Sequence, residues 1–303
     1  MDQEKELTNS DMPLVSVLMT SYNREKFIAS AIESVISSTY QNIELIIVDD
    51  NSVDSTFEII QKYAHCNKKI YAHKNASNLG QFHNRNYIAT LAKGKYLKYV
   101  DSDDLIYPFG IEILVNMMEQ FPDAGYGLCS LEQDSERIFP FMLNPKDAYE
   151  RHFCKKIALF HKAPLSSIIK KDAFFGIGGF TNNEGEGDYE MWLALSTRWN
   201  VVCMPHGIVW YREHNEQIDF LRRNDRFIRF KYFLVTKKYL GCSDCPLDIK
   251  KKKKACKENE FAIAKYIFAT FFREPRKAFQ MYKANNYKIL VFFKNLIAAI
   301  ASK

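Results

Sequence analysis

Apolar runs that alternate with helix-period segments, each run closing on a polar cluster, constrain this chain more than any other feature of its 303 residues. Residues 14–19 are apolar enough along their length for a buried strand, as a parallel sheet requires, and residues 45–48 and 96–100 read as further strands. Residues 70–72 make a weaker strand. Phe27, Ile28, Ala31, Ile32, Val35 and Ile36 recur at helical spacing after the first run. Asn51, Ser52, Val53 and Asp54 supply helix-capping chemistry ahead of Phe57, Ile59 and Ile60, and residues 82–92 read as a third helix ending near Gly94. Repeated βα units of this length predict an α/β fold: a doubly wound, mostly parallel central sheet of Rossmann-like type with helices on both faces.

Beyond Pro108 the pattern predicts a helix over 111–120, a short strand over 126–131 and irregular chain to Pro164. A glycine-rich loop at 174–180, an amphipathic helix over 189–198 and a strand over 201–205 follow. From about Gln217 the chain turns helical, basic and aromatic, which places a boundary near Glu216 to Phe220. The predicted parts are residues 1–218 and a C-terminal helical extension, 219–303.

Charge separates the same two parts. The net charge is +6, but residues 221–303 hold 21 Lys and Arg against 6 Asp and Glu, whereas residues 1–220 hold 21 against 30. An acidic front argues against a nucleic-acid partner, and a basic, aromatic tail suits peripheral contact with an anionic membrane. No run reaches the roughly 20 apolar residues of a membrane span, and the first eleven residues are polar, unlike a signal peptide. Seven scattered cysteines, an odd number, fit a reducing cytoplasm. Cys242, Cys245 and Cys256 lack a fourth zinc ligand and are read as thiols.

Polar residues follow three of the strands: Thr20, Ser21, Tyr22 and Asn23; Asp49 and Asp50; and Asp101, Ser102, Asp103 and Asp104. In a doubly wound sheet the carboxyl ends of the strands open on a shared crevice, so the three clusters converge. Crowded carboxylates repel, and a hard divalent cation relieves that repulsion while acting on phosphate oxygens. An acidic triplet by itself reads better as a solvated turn or helix N-cap; beside Asp49 and Asp50 it reads as a metal and phosphate site. The glycine patterns of dinucleotide enzymes, P-loops and serine hydrolases are absent.

Residues 15–23 resemble the opening strand of glycosyltransferase family 2, the inverting GT-A class. Residues 48–56 are similar to that family's second signature, Asn78-Leu79-Gly80 with Asn84-Arg85-Asn86 to its third, and Asp101-Ser102-Asp103-Asp104 to its DxD motif. The resemblance implies that Thr20, Tyr22 and Arg24 line a nucleotide pocket, with Tyr22 a platform for the base. Arg85 belongs to the same pocket, and Asp50 accepts a hydrogen bond from the uracil N–H. Asp101 and Asp103 serve the ribose and a Mn²⁺ or Mg²⁺ bridging the diphosphate, and Asp104 assists the metal or the acceptor.

In the stretch Gly185-Glu186-Gly187-Asp188, the residue matching the family's catalytic base is Asp188, with Glu186 its neighbouring competitor. Residues 210–217 resemble a late Y-R-x-H element, which implies His214 at the metal or diphosphate and Arg212 nearby. The activity implied is metal-dependent transfer from a UDP-sugar to a glycan or lipid-linked saccharide, in bacterial surface-polysaccharide synthesis at the inner face of the cytoplasmic membrane. The alternatives are a sugar-phosphate nucleotidyltransferase, whose basic glycine-rich phosphate loop is missing here, and a non-catalytic nucleotide- or glycan-binding protein.

Overall fold

The computed structural model describes residues 12–181, 186–214 and 225–301. The polar N-terminus, Gly185 and the boundary near Glu216 to Phe220 lie outside the described residues. The first half alternates as the sequence predicts: β1 (Val15–Ser21), α1 (Ile28–Ile36), β2 (Ile43–Asp49), α2 (Thr56–Cys66), β3 (Ile70–Lys74), α3 (Gln81–Leu91) and β4 (Tyr96–Tyr99). Every residue of β2 is buried, which explains its unbroken apolar run. Helix α1 covers the sheet with Ile28, Ala31, Ile32 and Val35, all fully buried. Each of the three branched side chains contributes about 1.5–3 kcal/mol.

After β4 come β5 (Leu105–Ile106), α4 (Gly110–Glu119), β6 (Ala124–Leu131), β7 (Phe141–Leu143), α5 (Pro145–Tyr149), β8 (Ser167–Lys170), α6 (Lys171–Gly176), α7 (Gly187–Leu195), β9 (Asn200–Pro205) and β10 (Val209–Trp210). Eight strands form one sheet in the order β3-β2-β1-β4-β8-β6-β9-β7, and β10 pairs with β5. Four of the seven pairings described in the large sheet are parallel; β8 runs antiparallel to both neighbours, and β7 to β9. Parallel pairing aligns the strand ends that matter: Ser21 stands opposite Asp49, and the Val100 amide bonds Leu18 O at 3.0 Å, so Asp101 emerges beside the end of β1.

Two local expectations need correction. Residues 167–176, of which 167–173 carry no predicted element and 174–176 open the expected glycine-rich loop, form β8 and α6; four strand residues are too few to show a period. Helix α7 is not amphipathic: Tyr189, Glu190, Met191, Trp192, Leu193 and Leu195 are all buried.

The chain divides into two compact units. One holds residues 1–144, 161–182 and 198–212, with the sheet as its core. The other holds 145–160, 183–197 and 213–303, so α5 and α7 group with α8 (Arg226–Gly241), α9 (Ile249–Phe271), α10 (Pro275–Ala284) and α11 (Ile289–Ala301). Phe230, Ile263, Ala264, Ile267, Met281, Phe292 and Leu296 form the core of those C-terminal helices. All seven cysteines are thiols without a disulfide.

Candidate active site

The loop after β2 is built by its two aspartates, which do different work. Asp49, fully buried, accepts from the Ser52 amide at 2.9 Å and from the Ser52 hydroxyl, shaping the turn that follows. Asn51 sits there at φ 65°, a left-handed conformation that Asn tolerates. Asp50 reaches the other way. Its carboxylate accepts from Asn75 Nδ2 at 2.7 Å, Leu79 N at 2.8 Å and Gly80 N at 2.9 Å. Gly80 holds φ 83°, a conformation where a side chain would be strained. Three of about four carboxylate acceptor positions are thereby filled, leaving room for one further donor.

The loop after β1 is tied to the same turn. The amide of Asn23, a residue at φ 51°, donates to the Ser52 hydroxyl oxygen at 2.9 Å, and its Oδ1 accepts from Val53 N at 3.0 Å. Thr20 is partly buried at the end of β1, while the Tyr22 ring is 45% exposed. The Arg24 amide donates to Thr56 Oγ1 at 2.7 Å, and its Nε donates to Asp103 Oδ2 at 2.9 Å. One arginine thus ties the β1 loop to the acidic triplet.

The triplet is held by two more arginines. Arg85, buried on α3, bonds both oxygens of Asp101 through Nη2, at 3.0 and 2.9 Å. Tyr99 OH donates to Arg85 O, and the guanidinium carbon lies 5.8 and 5.6 Å from the ring centroids of Phe82 and Phe180. Arg212 donates from its amide to Asp104 Oδ1 at 2.9 Å and from Nε to Asp103 O at 2.8 Å. Asp104 is buried, and that burial, with the Asp101 charge next, pushes its carboxyl up to about 8. The sequence-predicted residues Arg24, Asp50, Arg85, Asp101, Asp103, Asp104 and Arg212 all belong to the sheet-containing unit, at the carboxyl edge of its first four strands.

Asp188, Glu186 and His214 belong to the other unit. Asp188 is half-buried in the first turn of α7, and His214 is half-buried too. Glu186 is buried, with Lys231 Nζ 3.8 Å from its Oε1. Glu190, with 1% of its side chain exposed, pairs with Lys238 at 2.6 Å, and Tyr189 OH lies 2.9 Å from Thr236 Oγ1. The same Tyr189 hydroxyl is 3.3 Å from His152 Nε2, in a ring cluster with Phe153 and Phe160.

Sequence reasoning passed over several supporting residues. Asn75 braces Asp50. Asn84 accepts from Asn75 Nδ2 at 3.0 Å and donates to Val48 O. Asn86 grips the Phe180 backbone through both amide atoms at 2.8 Å. Gly179 permits this, at φ 75° and so close to Asn86 that an added Cβ would lie 2.5 Å from Oδ1. Two asparagines, poor helix formers, flanking Arg85 inside α3 were the legible signal.

Among the described residues no group of three or more His, Cys, Asp or Glu side chains is placed to hold a metal ion. The donor set nevertheless fits a hard cation of the Mg²⁺ type, which is commonly bound through one or two carboxylates plus substrate phosphates rather than a protein cage. Burial first, and the Asp101 charge after it, raise the Asp104 carboxyl, and the repulsion between these carboxylates is what such an ion would relieve.

Residues 16–175 match the Glycosyl transferase family 2. The chain belongs to that family. A Haemophilus influenzae relative, an uncharacterized glycosyltransferase, is 36% identical over 218 residues, 68% of this chain and 67% of its own length. An Escherichia coli UDP-Glc:alpha-D-GlcNAc-diphosphoundecaprenol beta-1,3-glucosyltransferase, WfaP, is 39% identical over 108 residues, 36% of this chain and 42% of its own. The mannosyltransferase PcManGT from Pyrobaculum calidifontis, solved with GDP-Man and Mn²⁺, superposes with a TM-score of 0.62 at 17% identity. That likeness covers 99% of this chain and 90% of PcManGT, and it extends the shared GT-A fold across the C-terminal helices. The family 2 match decides for sugar transfer over nucleotidyl transfer.

Proposed function

We propose that this family 2 glycosyltransferase moves a sugar from a UDP-sugar, with inversion, to a hydroxyl of a glycan or lipid-linked saccharide in bacterial surface-polysaccharide synthesis. The observation that carries the reading is the set of three arginines knitted to Asp101, Asp103 and Asp104 at the carboxyl edge of the sheet. A nucleoside diphosphate fits that edge: an open aromatic ring at Tyr22, one acceptor position left on Asp50, and cationic groups beside acidic ones. The donor and lipid diphosphate acceptor in WfaP's name favour UDP and a lipid-linked acceptor here. A GDP-sugar is the second reading, favoured by the ligand of PcManGT.

In the proposed reaction Thr20, Tyr22 and Arg24 hold the nucleotide, Asp50 accepts the uracil N–H, and Arg85 fixes Asp101 toward the ribose. Arg212 braces the backbone of Asp103 and the carboxyl of Asp104, keeping the acidic loop in one conformation. Asp103 and His214 would hold a Mn²⁺ or Mg²⁺ ion, which when bound would supply positive charge to the donor's diphosphate. Asp188 takes the proton of the acceptor hydroxyl as that oxygen attacks the anomeric carbon, and no covalent glycosyl-enzyme forms. Glu186, paired with Lys231, stands one residue before the α7 helix as the competing carboxylate. Residues 1–218 carry this chemistry, and residues 219–303 bring the enzyme to the inner face of the cytoplasmic membrane.

Titration calorimetry with UDP and GDP, in Mn²⁺ and in EDTA, tests the reading. Metal-dependent UDP binding lost in Asp103→Ala is expected, and a GDP preference would overturn the uracil role of Asp50. Asp188→Asn should lower transfer at least ~10³-fold with UDP binding unchanged; full turnover in that variant removes Asp188 as the base.

A further inference from the structure

Helix α11 is apolar on two faces. Among its 13 residues only Lys294 and Asn295 are polar. Phe292 and Leu296 face inward, in the core with Ile263, Ile267 and Met281. Leu290, Phe293 and Ile297, spaced i, i+3, i+7, are 82%, 52% and 66% exposed, a second stripe with nothing packed over it in the described chain. Eight of the 22 exposed large apolar side chains among the described residues fall between 268 and 297, a tenth of the sequence; Phe271, Phe272 and Phe279 are among them.

The charges around the stripe select its occupant. Residues 265–297 hold seven Lys and Arg and one acidic residue, Glu274. Lys283 lies 4.6 Å from the ring centroid of Phe279, Lys288 is exposed just ahead of the helix, and Lys294 is exposed between Phe293 and Ile297 in the sequence. Protein–protein interfaces are depleted in lysine, whereas aromatic and lysine residues mixed on one apolar helix face are what an anionic lipid interface takes up. No helix among the described residues is long and apolar enough to cross a membrane. At 1.5 Å per residue α11 is about 20 Å long, against about 30 Å of hydrocarbon, so it suits lying in the interface.

We propose that the Leu290–Phe293–Ile297 face of α11 is the membrane-docking surface of this enzyme, inserted among anionic lipid headgroups and held there by Lys288 and Lys294. The inference deepens the membrane reading of residues 219–303, and it gives a lipid-linked acceptor a reason to meet the site.

Flotation of the full chain with vesicles of phosphatidylcholine, with and without phosphatidylglycerol, tests it. Wild type is expected to float with the anionic vesicles and stay behind with the neutral ones. Leu290→Gln, Phe293→Gln and Ile297→Gln together, and separately Lys288→Glu with Lys294→Glu, should each cut vesicle binding at least tenfold with circular dichroism and UDP binding unchanged. UDP binding read on the same samples separates this proposal from the catalytic one, since loss of UDP binding in wild type would sink the latter only. Equal flotation of wild type and either variant overturns the docking face. So does a wild-type dimer that the apolar variant converts to monomer without any vesicle binding, because the occupant is then a second copy.

Discussion

Lys98 is a charged residue in the middle of β4 and is completely buried, its ammonium donating to Leu165 O. Burial brings its pKa down from 10.5 to about 8, because the protonated form loses its water. The sign of the pH effect follows. The folded state disfavours a proton that the unfolded chain keeps up to 10.5, so the cost is full below about pH 8 and fades as pH rises from 8 to 10.5. Relative to Lys98→Met, wild type should gain about 3 kcal/mol of unfolding free energy between pH 7 and pH 10.5, read by urea denaturation at each pH. A difference that does not move with pH would place the charge in water. Nothing in the run Tyr96 to Val100 announces this, since an apolar strand with one lysine reads as a strand with one exposed position. Asp50, Asp101 and Asp103 were legible as residue types at strand ends, and Arg85 within the third signature, whereas their bracing by Asn75, Asn84 and Phe180 came only with the fold.

Helix α7 shows what an element takes from its neighbour. It carries Asp188 in its first turn and is buried on nearly every side, and α8 supplies partners for the polar groups around it: Lys231 for Glu186, Thr236 for Tyr189, Lys238 for Glu190. Glu190 is buried while Lys238 is largely exposed, so removing the lysine takes away the ammonium that offsets a buried carboxylate. Lys238→Met should cost about 1–3 kcal/mol in thermal or chemical unfolding, and Lys238→Met with Glu190→Gln together should recover most of it. Equal losses in the single and double variants would show that the pair contributes nothing. The helix itself was readable from residues 189–198, but an amphipathic reading missed its burial: the unbroken run Met191 to Leu195 puts apolar side chains on every face. Strand β8 was missed for a different reason: antiparallel pairing with β4 and β6 is what makes those four residues a strand.

At the scale of the whole molecule the two compact units interleave along the chain, with residues 145–160 and 183–197 grouped with the C-terminal helices. A chain ended at residue 218 therefore keeps α7 and loses every α8 partner of Glu186, Tyr189 and Glu190. It should melt more than about 10 °C below the full chain or fail to stay soluble, by differential scanning calorimetry. An unchanged melting temperature would make residues 1–218 self-sufficient. The apolar runs, the helical spacing and the polar clusters at strand ends determined the α/β class, the family and the acidic motif, because these are local patterns that the chain carries wherever it goes. Only the tertiary structure decided which aspartate braces a loop and which binds arginine, that α7 depends on α8, and that α11 keeps a second apolar face outward. Each of these depends on the water removed around a side chain and on partners brought from distant residues, and neither quantity exists before the chain is folded.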